Sequence, residues 1–243
     1  MAGIRNPIKS TLGLPIGFPL GDWKAAEVPP RTVMVGTWCR VEPINRETHA
    51  ADLFRAFSDD FEGRNWVYLS YGPFETMADF DAWIKDSCLG PDPLFYAFVD
   101  RQNNKALGVA SYLRITPAMG VIEVGHINYA PQLKKSIAGT EAMYLMMKRA
   151  FEELGYRRYE WKCDALNSVS RNAAERLGMT FEGVFRQATI YKNRNRDTAW
   201  FSILDVEWPR MKKTFELWLH PNNFSQDGSQ IHRLQDLIPD ESL

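Results

Sequence analysis

Hydrophobic positions recur at helical spacing in two segments near the start of the periodic part of the chain. Leu53, Phe54 and Phe57 form one such stripe within residues 46–58, and Phe80, Trp83 and Ile84 another within 74–87. Both are read as helices, preceded by a first strand over 36–42. Residues 94–99 are a short apolar run rich in β-formers. The polar triplet Asn103, Asn104 and Lys105 turns the chain into a second run, 106–114, and a turn over 116–120 leads to a third strand, 121–129. Within 140–154, residues Met143, Met146, Met147, Ala150, Phe151 and Leu154 share one helical face, and Gly155 supplies the stop. Residues 159–164 then read as strand, Asn167 and Ser168 as a cap, and 169–177 as a short helix ended by Gly178. Strands over 180–191 and 198–205 flank a polar, basic turn, and a last helix covers 211–219.

This order predicts an α/β fold, a mixed central sheet with helices on both faces. Three parts are expected: an arm over 1–34, a domain over 35–207, and a C-terminal helix with a polar tail over 208–243. The arm carries Pro7, Pro15, Pro19, Pro29 and Pro30 among Gly13, Gly17 and Gly21, so it is expected to lie over the domain without regular structure.

Composition narrows the function. With 45% apolar and 24% charged residues, the 243-residue chain can bury a core, and its net charge of -1 argues against a nucleic-acid partner. No run approaches the roughly 18 apolar residues that span a bilayer, so no membrane partner is expected. Residues 1–10 lack the apolar core of a secretory signal. Cys39, Cys88 and Cys163 are isolated and odd in number, which argues against a disulfide framework or a metal site and for a cytoplasmic protein.

Two segments carry a resemblance. The first runs Ile122-Glu-Val-Gly-His-Ile-Asn-Tyr-Ala-Pro131 and then Ala138-Gly-Thr-Glu-Ala142. The second runs Asn167-Ser-Val-Ser-Arg-Asn-Ala-Ala-Glu-Arg-Leu-Gly-Met-Thr-Phe-Glu-Gly183, followed by Phe185-Arg-Gln187 and Arg194-Asn-Arg-Asp197. Together they resemble the GNAT acetyltransferases, and within them the branch that modifies ribosomal-protein N-termini. The resemblance spans roughly 35–207. It implies the GNAT acyl-CoA N-acyltransferase fold, acetyl-CoA as cosubstrate, no metal, and a primary amine as acceptor, either a protein N-terminus or a small molecule. A non-catalytic acyl-CoA-binding or regulatory protein on the same scaffold is the competing reading, and the resemblance leaves room for a homodimer.

The resemblance also implies a site. The N-terminus of a helix suits a pyrophosphate, because its N–H groups are unpaired and carry about half a positive charge. The family's Gln/Arg-x-x-Gly-x-Gly/Ala loop aligns with Lys134, Lys135, Ser136, Ile137, Ala138 and Gly139, with Thr140 following. Ile137 stands where the first Gly is expected and is expected to resist positive φ and close backbone approach. Gly139 is expected to let the backbone approach phosphate. Asn167 resembles the family's pantetheine-contacting Asn, and a helix cap is its other role. Asn128 and Tyr129 fall where the central strand should offer backbone groups to the cofactor and to the oxyanion. The family's Tyr acid is replaced by Ala174, so Ser170 is the candidate hydrogen-bond donor to the leaving thiolate, or an ordinary first-turn Ser. Glu123 is the candidate base, with a structural ion pair as the alternative. His126 is three positions along from Glu123, so alternation points it to the opposite face, as a core or surface histidine. Trp66, Tyr68 and Tyr71 fall in the family's acceptor-channel region, with core packing the alternative account for at least half of the aromatic rings. The cations of the turn 191–197 either guide an acidic acceptor or are solvated.

Overall fold

A computed structural model describes residues 7–239; residues 1–6 and 240–243, which include the start of the segment read for a signal, lie outside it. The elements are β1 (Ile8–Lys9), β2 (Pro15–Ile16), β3 (Met34–Val35), β4 (Cys39–Pro43), α1 (Arg46–Ser58), α2 (Met77–Trp83), β5 (Leu94–Asp100), β6 (Ala106–Thr116), β7 (Val121–Tyr129), α3 (Ile137–Lys148), β8 (Arg158–Asp164), α4 (Ser168–Arg176), β9 (Thr180–Tyr191), β10 (Arg194–Leu204) and α5 (Trp208–Leu219). Wider helical turns, Ile84–Cys88 and Arg149–Glu153, extend α2 and α3.

Eight strands form one sheet in the order β3-β4-β5-β6-β7-β8-β10-β9. Neighbours run antiparallel except β7 and β8, which are parallel. Alternation along the strands feeds two cores. Leu94, Tyr96, Phe98, Ile122 and Val124 face α3, α4 and α5. Phe95, Ala97, Val99 and Val109 face α1 and α2. Helices therefore cover both faces of a mixed sheet.

Helix α3 runs through the first core and is buried on every side from Ala138 to Met147, rather than along one stripe. Glu141, inside that helix, accepts the N–H groups of Thr37, Trp38 and Cys39 at 2.7, 2.7 and 2.8 Å. A carboxylate buried this deeply needs such donors. They draw residues 37 and 38 out of the ladder, so the first long strand starts at Cys39 rather than at Gly36.

The N-terminal segment packs through specific contacts. Arg149 donates to the carbonyls of Thr32 and Val33, and Tyr96 donates to the carbonyl of Pro30. The C-terminal tail is tied in as well: Leu234 is fully buried, and Asn223 Nδ2 bonds the carbonyls of Trp218 and His232.

Candidate active site

The parallel pair β7 and β8 is joined only from Val121 to Val124 against Arg158 to Trp161. Beyond Val124 the strands part. Ala130 donates to Leu107 across the β6 side. By the alternation of an antiparallel ladder, the N–H and C=O of Tyr129 turn toward the gap, where Asn65 Nδ2 meets the Tyr129 carbonyl at 2.9 Å. The gap thus offers unpaired strand edge, the setting in which an extended amide chain adds as a strand.

The N-terminus of α3 stands at the end of β7. Ser136 caps it, its Oγ accepting Gly139 N–H at 2.9 Å and donating to the Leu133 carbonyl at 2.7 Å. Ile137 and Ala138 are the first two helical residues, whose N–H groups have no acceptor within the helix. Arg176 of α4 donates to Thr140 Oγ1 at 3.1 Å and stacks on Trp218; burial lowers its pKa, and no carboxylate pairs with it among the described residues.

Across the gap, α4 presents Asn167 and Ser170. Asn167 Oδ1 caps the helix by accepting Ser170 N–H at 3.1 Å, so its Nδ2 stays available to a ligand. Trp161 of β8 donates its indole N–H to Ser170 Oγ at 2.9 Å. An indole N–H is donor only. The Ser170 hydroxyl is therefore held as an acceptor toward Trp161 and left to donate its own hydrogen elsewhere.

The opposite face of the gap is polar and ionic. Glu123 is 1% exposed, and both its oxygens are taken: Arg114 Nε and Nη2 approach at 2.6 and 2.5 Å, and Lys162 Nζ at 2.8 Å. The ladder continues through Lys162 to Glu160 at 2.8 Å, Glu160 to Arg158 at 2.6 Å, and Arg158 to Glu182 at 2.5 Å. Burial would raise the Glu160 carboxyl, but Lys162 and Arg158 outweigh it and hold it below its ordinary value. His126 lies on this same face. It has φ 53°, at a β-bulge where Val109 pairs Asn128 but Ser111 pairs Gly125. Its ring stacks on Tyr71 and tilts against Phe95, with Nδ1 3.1 Å from Tyr71 Oη. Burial first, then the charges of Arg114 and Arg196, push its pKa down to about 4.

Comparison with known proteins shows the family of the chain. The acetyltransferase (GNAT) domain profile matches residues 40–180. The chain belongs to the GNAT acetyltransferases. It is 43% identical to a GCN5-related N-acetyltransferase from Brucella melitensis (TM-score 0.88), covering 90% of this chain and 99% of that one. It is 40% identical to a probable acetyltransferase of the GNAT family from Chromobacterium violaceum ATCC 12472 (TM-score 0.74), covering 81% and 98%. The microcin C7 self-immunity acetyltransferase MccE, solved with acetyl-CoA and AMP, shares the fold at 19% identity (TM-score 0.61), covering 73% and 98%. No curated protein matches the sequence. Acetyl transfer from acetyl-CoA is the chemistry of this family.

In the GNAT domain, several residues differ from their sequence reading. Ile137 needs no positive φ, because it is the first helical residue; Lys135 takes the left-handed conformation, at φ 57°. Gly139 is required by the protein itself: a Cβ there would stand 2.7 Å from the Leu133 carbonyl and 3.0 Å from Tyr129. His126 shares the face of Glu123 because the bulge inserts one residue and resets the alternation. The basic turn shrinks to Lys192 and Asn193, both at positive φ, because the strand resumes at Arg194. Two of its cations are exposed yet docked on a neighbouring loop: Lys192 bonds the carbonyls of Trp66 and Gly72 at 2.8 Å, and Arg194 that of Val67 at 2.6 Å. Tyr68 reaches the Leu166 carbonyl at 3.3 Å, so the α1–α2 loop bridges to both the hairpin tip and the β8–α4 turn. Trp66 packs between Phe57, Tyr71 and Phe74. Ala174 is fully buried, leaving no room for a Tyr. Lys134 bonds Asn65 Oδ1 at 2.5 Å. Asn128 is buried with neither amide atom partnered, and its cross-strand neighbour Val109 places it on the His126 face. Sequence reading gave no role to Arg176 or Trp161, and it named Arg196 only as one of the three cations of the turn 191–197. Only their charge or indole marked them, and nothing in their spacing tied them to the gap. No described helix is long and apolar enough to cross a membrane, and no group of His, Cys, Asp or Glu among the described residues could hold a metal ion.

Proposed function

We propose that this protein transfers the acetyl group of acetyl-CoA to a primary amine by direct attack of the amine on the thioester. The observation that carries this is the splay of β7 from β8, with a capped helix N-terminus at one end and Ser170 on one wall. Lys134, Lys135, Arg176 and the free N–H groups of Ile137 and Ala138 would hold the phosphates. Asn167 Nδ2 and the gap-facing edge of β7 near Tyr129 would hold the pantetheine amides. The β7 backbone near Asn128 would meet the oxyanion, and Ser170, oriented by Trp161, would donate to the departing thiolate.

The base is better assigned to His126 than to Glu123. Glu123 is held as a paired carboxylate, with Arg114 and Lys162 placing three donors on its two oxygens. His126 is neutral at pH 7, and burial keeps Tyr71 protonated. The tautomer with hydrogen on Nδ1 donates to Tyr71 Oη and leaves Nε2 to receive the amine proton, directly or through water. Ser170 supports placing the chain with the ribosomal-protein branch, and three buried free cysteines fit a cytoplasmic setting. The test is acetyl-CoA-dependent release of free thiol over a panel of peptide and small-molecule amines, with CoA binding measured by calorimetry. Thiol release with acetylated amine is the expected result. CoA binding without turnover on any amine would favour a binding protein instead.

A further inference from the structure

The face of the sheet that carries His126 holds five cations on β6, β8 and β10. Three are neutralised: Arg114 by Glu123, Lys162 by Glu123 and Glu160, and Arg158 by Glu160 and Glu182. Arg194 of β10 bonds the Val67 carbonyl at 2.6 Å, whereas Arg196 of β10 has no carboxylate partner among the described residues, and its buried Nε has no hydrogen-bond acceptor. Parity places it here. Ala199, Phe201 and Ile203 of β10 enter the core under α3, so Arg196, Thr198 and Trp200 face the other way. Its guanidinium lies 5.9 Å from the Tyr191 ring, and its charge is felt by His126 on β7 and by Cys163 on β8, the two strands that part. Asn128, 3% exposed and unpartnered at both amide atoms, faces the same side. A buried guanidinium N–H and a buried amide without partners each cost free energy unless a ligand completes them.

Resting on the reading of this gap as an amine acetylation site, we infer that Arg196 selects an acceptor bearing a carboxylate within a few bonds of its amine. The Nε–H and one Nη–H of a guanidinium form a fork that matches a carboxylate side-on. Asn128 Oδ1 accepts from the amine while Arg196 holds the carboxylate, which orients the nitrogen toward the thioester in the gap. The bridge from the α1–α2 loop to the hairpin tip shelters this pair from solvent, which strengthens the ionic contact.

The test uses two matched acceptor pairs: aspartyl-alanine amide against asparaginyl-alanine amide, and 4-aminobutyrate against 4-aminobutyramide. The expected result is a kcat/KM for the acid at least about tenfold above its amide in one or both pairs, a preference that collapses to near unity in Arg196→Gln. Arg196→Lys, which keeps the charge but loses the fork, should recover only part of it. Unchanged CoA affinity in both variants shows that they fold. A second readout needs no turnover: N-acetyl-aspartyl-alanine amide and N-acetyl-4-aminobutyrate are titrated into the CoA complexes of wild type and Arg196→Gln. Binding of either should weaken at least about tenfold in the variant. Equal rates for acid and amide, with neither anionic product bound by wild type, would overturn the inference while leaving amine acetylation intact. Failure to acetylate any amine would instead strike the underlying reading.

Discussion

The two walls of the gap between β7 and β8 are built in different ways. The wall formed by α3 and α4 is made of local features: a Ser cap, two free N–H groups, an Asn cap and a first-turn Ser. The opposite wall is assembled from β6, β7, β8, β10 and the α1–α2 loop, and its groups meet only because the sheet is twisted into place. The first wall suits a cofactor of fixed shape. The second, an ionic ladder beside Arg196 and a neutral histidine, suits discrimination among acceptors.

Substitutions on either wall should break different properties. The largest effect is expected for Gly139→Val. Its Cβ would meet the Leu133 carbonyl at 2.7 Å, so the helix start must shift. CoA affinity should fall by about 100-fold or more, whereas Lys135→Ala, which removes a partly screened charge, should cost less than about threefold, as read by calorimetry. Equal losses would mean that the helix start does not hold the cofactor.

On the other wall, Glu123→Gln should unfold earlier, by about 3 kcal/mol in urea, since it leaves Arg114 and Lys162 without their shared carboxylate. Its kcat, measured where the variant is folded, should stay within about threefold. A large kcat loss at unchanged stability would return Glu123 to the role of base.

The acid side of the stability profile separates the walls further. His126 titrates near its ordinary 6.5 in the unfolded chain and at about 4 when folded. Between these values the unfolded chain binds a proton that the folded chain does not. Stability is therefore full above pH 6.5 and falls as pH drops toward 4, by up to about 3 kcal/mol. Denaturant melts at pH 7.5 and 4.5 should show this loss, and His126→Gln should flatten it. Smaller again is the effect of Ser170→Ala: kcat should fall about tenfold with CoA affinity unchanged, because its contact matters when charge develops on sulfur.

The contrast also explains what the sequence could reveal. Caps and helix stops are local, so α1, β7 and the span of β9 follow from spacing alone, and Asn167 and Ser170 are legible from their places beside a glycine-ended helix. The His126 face is not legible. A single bulge with φ 53° inverts the parity on which the face of every later residue in β7 depends. The ladder joins residues up to 68 positions apart, from Arg114 to Glu182, and no spacing rule connects them. The hairpin cations dock on carbonyls of a loop that is distant in sequence, which charge counting cannot show.

The central claim is that the cofactor and the acceptor's proton are handled on opposite walls of one gap. CoA titrated into wild type, Ser170→Ala and His126→Gln tests it most directly when paired with thiol release on the best acceptor. The account predicts CoA affinities within about threefold of one another and turnover reduced at least about tenfold in each variant. Absence of CoA binding by wild type at millimolar concentration, or full turnover in both variants, would contradict it.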